Sequence, residues 1–588
     1  MQMARGTARI GLTERPIEIF VVVAIAATCA TFPIAWWPGK LLAAAGALLI
    51  LAVGLITMYG RTLIGWLTNR MHEAWKSRSA RMAIARTRTA KHAAAPGPAL
   101  GAAGEADPGA DTSADAGGHE DKSVRIHKIA GITVAVAIEG PDLVAVIRLD
   151  GPALLPRLIH AGTVQAPQAR IPLDTIEAAM AELREGQPYS YDIAFNCRRL
   201  ADTRYASTYD HVQAGRAIGG QRTAYLITRY RPQAAPWYFG ARPDTAHAVA
   251  ANTVRLSRAI ATAGCANEPL DAVGLAALKN ETAYVGVPQW RNIAPESPGG
   301  LHEATYLIDP GQLTSEDLAE LWATRAQQVL VTLHHGPQGW HGFVRLRTNS
   351  PDPAPPLAML HPLPGQQSVA AAYGYPGATP EPVIPYPPVA SLAALDLPAG
   401  SDGQILCVDG QGTSVLASLV PAPRRHTIAL LSEIPAAQLL VRAAANGADV
   451  TVITDRPRQW QHLVREGVKL SPGTPEKATW AALFVYDGLQ SDLVPTDSDA
   501  SIVLLNPDDI VNPKPAPAAA DGSPAPEEKP DDRDPIVKLL DRAGLVLWED
   551  PASGSMAVGS SHGLYVGHIR VDPSEVPHLR PLQQETMR

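Results

Sequence analysis

The sequence contains few cysteines and few aromatic residues, and these shortages limit what the chain can be. Four cysteines occur in 588 residues, at Cys29, Cys197, Cys265 and Cys407, and none belongs to a C-x-x-C pair. A zinc site built on them is not expected, because structural zinc sites favour closely spaced ligand pairs. Aromatic residues make up 5% of the chain, whereas prolines number 53 and glycines 48. This composition is typical of globular units joined by flexible segments.

The common catalytic motifs are also missing. No G-x-x-x-x-G-K-[ST] loop occurs, so the chain is not itself a P-loop ATPase, and no G-x-S-x-G nucleophile elbow is present. Asp508 and Asp509 follow a predicted strand, but the sequence places no matching acid or base beside them. We therefore expect a protein that is not an enzyme, with no catalytic residue, no cofactor and no metal ion.

Charge is distributed unevenly along the chain. The formal net charge is −7, yet residues 1–91 are strongly basic and the remainder is mildly acidic. A basic beginning followed by an acidic body indicates contact with an anionic lipid bilayer, and not with nucleic acid along the body.

Two long apolar runs stand at the start of the chain. Residues 17–37 and 41–59 are each about 20 residues long, and Pro38-Gly39-Lys40 forms a turn between them. A helix of about 20 residues spans the roughly 30 Å of a bilayer's hydrocarbon core. We therefore predict a transmembrane helical hairpin over residues 1–60. A cleaved signal peptide and a pair of buried soluble helices are the alternatives, and both fit the run lengths less well.

Basic residues flank the two runs, and only Lys40 lies between them. The positive-inside rule then predicts a multi-pass protein of the inner (plasma) membrane with both termini in the cytoplasm. Aromatic and basic side chains at the ends of such spans settle at the membrane interface. The residues expected there are Trp36, Trp37, Tyr59, Arg61 and Trp66.

The rest of the chain divides by composition. Its parts are a basic juxtamembrane helix (61–92), a disordered tether (93–122), a first cytoplasmic α/β domain (123–350), a proline-rich linker (351–388), a second α/β unit (389–512), a proline-rich acidic linker (513–535) and a C-terminal segment (536–588). The predicted fold class is thus a membrane-anchored α/β protein with a parallel βαβ sheet.

In the first domain, alternating β-branched residues predict hairpins, and capping residues predict helices. Runs at 129–139 and 143–149 flank a Gly-Pro-Asp turn, and Thr314 begins a capping box for a helix to about Gln328. A second hairpin turns at 336–339, which pairs His334 with His341 and His335 with Trp340. The two imidazoles could share a metal if His302 or Asp352 supplied a third ligand, but a polar pair on a hairpin edge is the preferred interpretation.

The second domain shows a strand at 427–431, a helix from about Pro435 with Ser432 as its cap, and a strand at 449–454. This βαβ pattern implies a parallel sheet, and it admits a membrane-anchored nucleotide- or nucleotide-sugar-binding enzyme as the alternative function. Asp455 stands where a dinucleotide-binding fold carries its ribose-binding acid. However, the loop 431–435 lacks glycine and carries Glu433, and Gly410-Gln411-Gly412 is only a fragment of a phosphate-binding motif.

The order of these features resembles the EccE family, membrane components of the actinobacterial type VII (ESX) secretion systems. The resemblance covers most of residues 15–455 as a series of weak motifs. The residues that carry it are Thr57-Met58-Tyr59-Gly60-Arg61, Gly65-Trp66, Tyr225-Leu226-Ile227-Thr228, the Ala-rich helix Val249 to Gly264, and Leu440 to Ala448 before Val450-Thr451-Val452.

The resemblance implies a non-catalytic structural subunit of a hexameric inner-membrane complex. In that family EccC is the ATPase, and EccB and EccD are the other membrane partners. EccE lies at the periphery with a cytoplasmic body. The implied role is therefore to brace the assembly through the hairpin and the body.

Overall fold

The computed structural model describes the body of the protein and three short strands near its start. The described residues are 10–12, 56–58, 61–62, 123–150, 154, 156–160, 163–164, 170–198, 204–213, 221–240, 242, 244–284, 286–351, 354–380, 391–392, 395–420, 426–473, 482–488, 500–505, 543–550, 552–561 and 563–580.

Strands dominate the described part of the chain. In chain order they are β1 Ile10–Leu12, β2 Ile56–Met58, β3 Arg61–Thr62, β4 Val124–Ile129, β5 Ile132–Glu139, β6 Asp142–Asp150, β7 Arg157–His160, β8 Thr163–Val164, β9 Ser190–Arg198, β10 Gln221–Tyr230, β11 Ala266–Pro269, β12 Val287–Pro288, β13 Ile293–Ala294, β14 His302–Ile308, β15 Gln328–Gly336, β16 Gly339–Thr348, β17 His361–Pro362, β18 Gln404–Val408, β19 Ser414–Ala417, β20 His426–Leu430, β21 Asp449–Ile453, β22 Lys469–Ser471, β23 Ala482–Asp487, β24 Ala500–Leu505, β25 Ala543–Asp550, β26 Ser555–Ser560 and β27 Gly563–His568.

The described helices are fewer than the strands. They are α1 Leu173–Glu182, α2 Ala206–Val212, α3 Pro236–Phe239, α4 Thr245–Thr262, α5 Ala272–Thr282, α6 Ser315–Trp322, α7 Gln367–Ala370, α8 Glu433–Ala445, α9 Pro457–Trp460 and α10 Val576–Leu579, with 3-10 turns at Arg184–Gly186, Pro232–Ala234 and Gln461–Glu466.

The first large sheet is antiparallel throughout. Its order is β12-β13-β14-β16-β15-β9-β10-β6-β5-β4, with β11 beside β6 and β17 beside β14. Short turns join several of its neighbours, such as β5 to β6 and β15 to β16, and such turns produce antiparallel pairs. Helices α1, α4 and α6 pack on one face of this sheet, and α5 packs on the other.

The second large sheet is half parallel. Its order is β22-β21-β23-β24-β20-β25-β26-β27-β18-β19-β7-β8, and the first six strands run parallel to one another. Helix α8 and the turn Gln461–Glu466 pack on one face, where a large apolar cluster lies. Strands β7 and β8 belong to the second sheet, although they lie in the chain between β6 and β9 of the first sheet. The chain therefore passes to the second sheet and returns before the first sheet is complete.

A buried ion cluster joins the two sheets. Asp402 accepts hydrogen bonds from Arg157 at 2.7 Å and from Arg222 at 3.2 and 3.3 Å, and all three side chains are nearly inaccessible. The Arg222 guanidinium also lies 4.0 Å from the ring centre of Trp322 in α6. Because Arg222 belongs to β10 and Asp402 precedes β18, this cluster fixes the first sheet against the second.

The predicted fold class is wrong. The described chain is built mostly of strands in two twelve-stranded sheets, and it is not an α/β body anchored by a helical hairpin. The predicted βαβ elements are present as β20, α8 and β21, but β23 and β24 lie between the two strands. The sequence pattern could not show the many short strands, such as β11, β18 and β19, whose pairing depends on distant partners.

The predicted transmembrane hairpin and inner-membrane location are contradicted as well. Within the described ranges, no helix is long and apolar enough to cross a membrane. Residues 13–55, which include most of both predicted spans, lie outside those ranges. Of the second span, Ile56–Met58 is described, and it is a strand paired with Ile10–Leu12. Isoleucine and threonine are β-branched, which favours this extended conformation.

Several local predictions are confirmed. The hairpin between β5 and β6 pairs Glu139 with Asp142, and Thr314 forms a capping box with Asp317 at the start of α6. Helix α6 nevertheless ends at Trp322 and not near Gln328, because Gln328 already begins β15 and its side chain bonds Asn196 at 2.6 Å. Tertiary pairing thus overrides the helical tendency of the residues after Trp322.

Part of the proline-rich stretch 351–388 packs against the first sheet. Strand β17 pairs with β14, and helix α7 follows it. Tyr373 stacks on Phe343 of β16 with ring centres 3.9 Å apart. Buried Leu363 and this aromatic pair supply the apolar contact that holds the stretch on the sheet.

Candidate functional site

The first candidate site surrounds Asp192, in the middle of the antiparallel sheet. Asp192 on β9 lies opposite His334 on β15, and Arg229 lies on the neighbouring strand β10. Side chains alternate along a strand, so these three project from the same face of the sheet. The segment that follows α7 covers them, and Gly374 approaches so closely that a Cβ there would collide with Thr332.

Asp192 is fully buried and accepts three hydrogen bonds. The donors are Arg229 Nη2 at 2.8 Å, His334 Nδ1 at 2.6 Å and the backbone N–H of Gly374 at 3.0 Å. Arg229 also donates to the carbonyl oxygens of Gly377 and Tyr375. Burial alone would raise the pKa of Asp192, but the charge of Arg229 and the bonds from His334 and Arg229 hold it far below its usual range.

The arrangement does not favour a shared metal at the two histidines. His334 does pair with His341 as predicted, but its Nδ1 is bonded to Asp192. His302 pairs with Thr348, seven residues along β16 from His341, which corresponds to about 23 Å of strand. Asp352 lies outside the described residues. Among the residues that the structure describes, no group of three or more potential metal ligands occurs.

A groove of about 680 Å³ opens beside this cluster, at the ends of β9 and β15. Tyr189, Tyr191, Trp237 and His335 give it an aromatic lining, and helix α1 forms one wall. Tyr191 stacks on His335 with ring centres 4.7 Å apart. Trp237 is 85% exposed, an unusual state for a large apolar side chain.

Charged residues hold the groove's aromatic lining in place. Arg231 lies 4.2 Å above the Tyr189 ring and is bonded to the buried carboxylate of Asp142 at 2.8 Å. On the opposite wall, Glu177 accepts a hydrogen bond from Trp340 Nε1 at 3.3 Å. Burial lowers the pKa of His335, and the neighbouring His334 lowers it further. The groove therefore presents aromatic rings and a largely neutral imidazole near pH 7.

The second candidate site is the carboxyl edge of the parallel strands, where α/β proteins bind nucleotides. Ser432 precedes α8 there, as predicted, but its hydroxyl does not cap the helix. Instead, the Ser432 backbone N–H and hydroxyl donate to the two carboxylate oxygens of Glu549, at 2.6 and 2.9 Å. An internal carboxylate thus occupies the position near a helix N-terminus where a phosphate would bind.

Two other acidic residues at this edge, Asp455 and Asp487, have contacts within the chain. Asp455 is exposed and forms only a loose contact of 3.9 Å with Arg456. The neighbouring Asp487 accepts bonds from Thr454, Arg456 and Trp460. Gly410-Gln411-Gly412 forms a turn closed by Asp409, and Asp508 and Asp509 lie outside the described residues. The candidates that the structure describes therefore do not converge on one nucleotide site.

An apolar face covers the outside of the hairpins β25 to β27. In register, Trp548 pairs with Ala557 and Ala557 with Val566, while Leu564 pairs with Gly559. Trp548 is 62% exposed, Leu564 69% and Val566 58%. Since these side chains alternate with the buried Leu547 and Val558, they form one continuous patch on the sheet surface.

The predicted membrane-interface residues cannot be located as a group. Trp36, Trp37, Tyr59 and Trp66 lie outside the described residues. Arg61 is described as part of β3, which pairs with β2. Sequence reasoning missed Asp192, Arg229, Glu549 and Trp237, because single charged or aromatic residues in strands and loops carry no spacing signal.

A comparison of the sequence with protein-family models gives no match, and no curated protein matches the chain.

Proposed function

We propose that this protein is a non-catalytic structural subunit of a type VII (ESX) secretion assembly, the role that its resemblance to EccE implies. The observation that carries the proposal is the apolar face formed by Trp548, Leu564 and Val566. These side chains are more than half exposed on a regular sheet surface. Exposed, contiguous apolar patches mark surfaces at which proteins bind partners.

The face has the composition of an interface core. Tryptophan leads the residues that dominate binding energy, and small residues at Ala557 and Gly559 leave space for a partner's side chains. No lysine or glutamate interrupts the two rows of paired residues, and charged residues are depleted at interface cores. We infer that a partner subunit, EccB, EccC or EccD, binds this face.

The buried charges support a structural role over a catalytic one. The carboxylates of Asp192, Asp402 and Glu549 are each bonded by two or more donors of the same chain. A catalytic acid or base needs a proton-accepting position that substrate can reach. Carboxylates engaged in this way hold strands and helices together.

Copurification tests the proposal. The tagged full-length chain is coproduced with EccB, EccC and EccD, and we expect it to recover at least one of them. The double variant Trp548→Ala, Leu564→Ser should reduce recovery at least about tenfold, because two central contacts are lost. Val273→Ser is the matched control, since Val273 is 70% exposed on α5 of the other sheet.

Three results decide between the alternatives. Recovery of partners by the wild type and the control, but not by the double variant, supports the proposal. Equal recovery by all three proteins would show that this face is not the contact surface. Failure of the wild type to recover any of the three subunits would overturn the assignment to a secretion assembly.

A further inference from the structure

We propose that the aromatic groove beside Asp192 binds a proline-rich segment of another protein in the polyproline conformation. In this complex a basic residue of the segment lies opposite Glu177, and an acidic residue one turn further along lies opposite Arg184. The groove's rings, hydrogen-bond donors and charges support this binding independently of any role in secretion.

Aromatic rings form the first part of the match. Tyr189, Tyr191, Trp237 and His335 line the groove. Tyr191 is held between two other rings, since it stacks on His335 at 4.7 Å and meets Trp340 edge-on at 5.3 Å. Trp237 is 85% exposed. Domains that bind proline-rich segments use grooves lined with aromatic rings in this way, because proline rings pack on them.

Hydrogen-bond donors form the second part. Among the residues that the structure describes, Trp237 Nε1, the Tyr189 hydroxyl and Arg231 Nη1 have no hydrogen-bond partner. A polyproline helix has no internal hydrogen bonds, and its prolines carry no N–H, so its backbone offers carbonyl oxygens only. An α-helix uses its carbonyl oxygens internally. Donors without acceptors therefore favour a polyproline ligand over a helical one.

Two opposite charges form the third part. Glu177 lies on α1, and Glu177 Oε1 accepts the bond from Trp340 Nε1, while its Oε2 accepts none from the described residues. Arg184 lies in the turn that follows α1, lines the same groove, and forms no ion pair within the described ranges. One wall of the groove thus carries a carboxylate oxygen and a guanidinium that are both available to a ligand.

The spacing of these charges matches a polyproline helix. Glu177 and Arg184 are seven residues apart, which corresponds to about 10 Å along a helix. A polyproline helix has three residues per turn and rises about 3.1 Å per residue, so residues three positions apart share a face and lie about 9 Å apart. A basic and an acidic residue at this spacing can therefore pair with both charges of the wall.

The backbone of Arg184 supplies a further indication. Its φ is 49°, in the left-handed region that favours glycine. Residues other than glycine are uncommon in this conformation, and such strain clusters at ligand-binding sites. An arginine at this position, with its side chain lining the groove, fits a role in binding.

Fluorescence anisotropy of labelled peptides, titrated with the full-length chain, tests the inference. The matched peptide has twelve residues, all proline except an arginine at its fourth position and a glutamate at its seventh. A shifted peptide has the glutamate at its sixth position, which places the two charges on different faces of the helix. A flexible peptide keeps the matched charges in a host of glycine and serine.

We expect saturable binding of the matched peptide. The shifted peptide should bind about two- to fivefold more weakly, because it can form only one of the two exposed ion pairs. The flexible peptide should bind at least about tenfold more weakly, because it loses more conformational entropy and offers no proline rings.

Substitutions on the surface of the groove locate the binding. Trp237→Ala should weaken binding of the matched peptide at least about tenfold. Val273→Ala should leave it unchanged, since Val273 is a 70% exposed side chain on α5, outside the groove. Glu177→Gln keeps an acceptor for Trp340 but removes the charge, so the matched and shifted peptides should then bind equally, and Arg184→Gln should have the same effect.

Four results would overturn the inference. They are no saturable binding of the matched peptide by a wild-type chain with a cooperative unfolding transition, equal binding of the flexible peptide, equal binding of the shifted peptide by the wild type, and unchanged binding by Trp237→Ala. Sedimentation velocity without peptide tests another occupant. Self-association of the wild type that Trp237→Ala abolishes would assign the groove to a second copy of the chain, which also overturns the inference.

Discussion

A fully buried carboxylate bonded to an arginine lies in the first large sheet and another lies beside the second, and the two differ in which elements supply their donors. Asp192 receives its side-chain donors from strands of its own sheet, Arg229 and His334. Glu575 follows β27 near the start of α10, and its side-chain donors come from helix α8 and from the residue that precedes α2. They are the Tyr205 hydroxyl, Gln438 Nε2 at 2.9 Å and the Arg442 guanidinium at 2.9 and 3.0 Å.

The two carboxylates differ in how much of the structure must open before each one can separate from its arginine. Asp192 lies inside an antiparallel sheet, so leaving its arginine would require opening β9, β10 and β15 together. Glu575 belongs to residues 570–580, which contact α8, and we expect these residues to open while the sheet remains intact. Local opening sets an upper limit on the loss of stability that a substitution can cause. The chain opens locally when that costs less free energy than keeping the substituted residue in its folded environment. The first carboxylate should therefore control global stability, and the second the docking of the C-terminal stretch.

The largest expected effect is that of Asp192→Asn. The substitution leaves the Arg229 guanidinium buried beside a neutral amide, and breaking a buried ion pair costs about 3–5 kcal/mol. Urea unfolding of the full chain should show this loss in the free energy of unfolding. Asp396→Asn is the control, because Asp396 pairs with Arg170 at the surface and such pairs contribute about 0–1 kcal/mol. A loss below about 1 kcal/mol for Asp192→Asn would show that the cluster relaxes.

Glu575→Gln should have a smaller and more local effect, about 1–3 kcal/mol, because the amide retains hydrogen-bonding capacity and we expect residues 570–580 to open locally. Hydrogen exchange should accelerate in residues 570–580, while β9 and β10 keep their wild-type protection. Equal acceleration in both regions would contradict the comparison, since it would mean that the C-terminal stretch unfolds only with the whole molecule.

The pH dependence of stability should differ between Asp192→Asn and the wild type. The pKa of Asp192 is lower in the folded protein than in the unfolded chain, because Arg229 and His334 outweigh the effect of burial. Its contribution is therefore complete above the unfolded pKa of about 4, and it is lost as the pH falls from there towards the folded value. Urea titrations between pH 7 and pH 3 should show a constant difference in the free energy of unfolding down to about pH 4 and a narrowing difference below it. A difference that stays constant over the whole range would exclude Asp192 as the titrating group.

The sequence made the local parts of this molecule predictable. The hairpin register that pairs His334 with His341 follows from the turn residues, and the capping box at Thr314 follows from a spacing of three. Both depend on residues close together in the chain, where geometry is limited by the backbone alone.

The long-range parts were not predictable in the same way. Arg442 and Glu575 are 133 positions apart, and nothing in either sequence neighbourhood indicates the other. The order of the parallel strands is similarly hidden, since β20 lies beside β24 and not beside β21. The predicted α/β class was wrong for the same reason, because strand pairing energies come from neighbours that the local pattern does not contain.

The smallest expected effect on stability concerns the edge of the second sheet, where Glu549 accepts hydrogen bonds from Ser432. Ser432→Ala removes one hydrogen bond, yet the backbone N–H of residue 432 still donates to Glu549, so the loss of stability should be about 1 kcal/mol.

Glu549→Ala removes the carboxylate from the start of α8 and exposes the position that a phosphate would need. We expect no saturable ATP binding by the wild type, because the carboxylate repels phosphate there, and none by Glu549→Ala, because loop 431–435 offers no glycine. Isothermal titration of both proteins measures this directly. Binding by Glu549→Ala alone would mean that the edge of this sheet is a nucleotide site blocked by one residue, and the second sheet would then differ from the first in function as well as in strand direction.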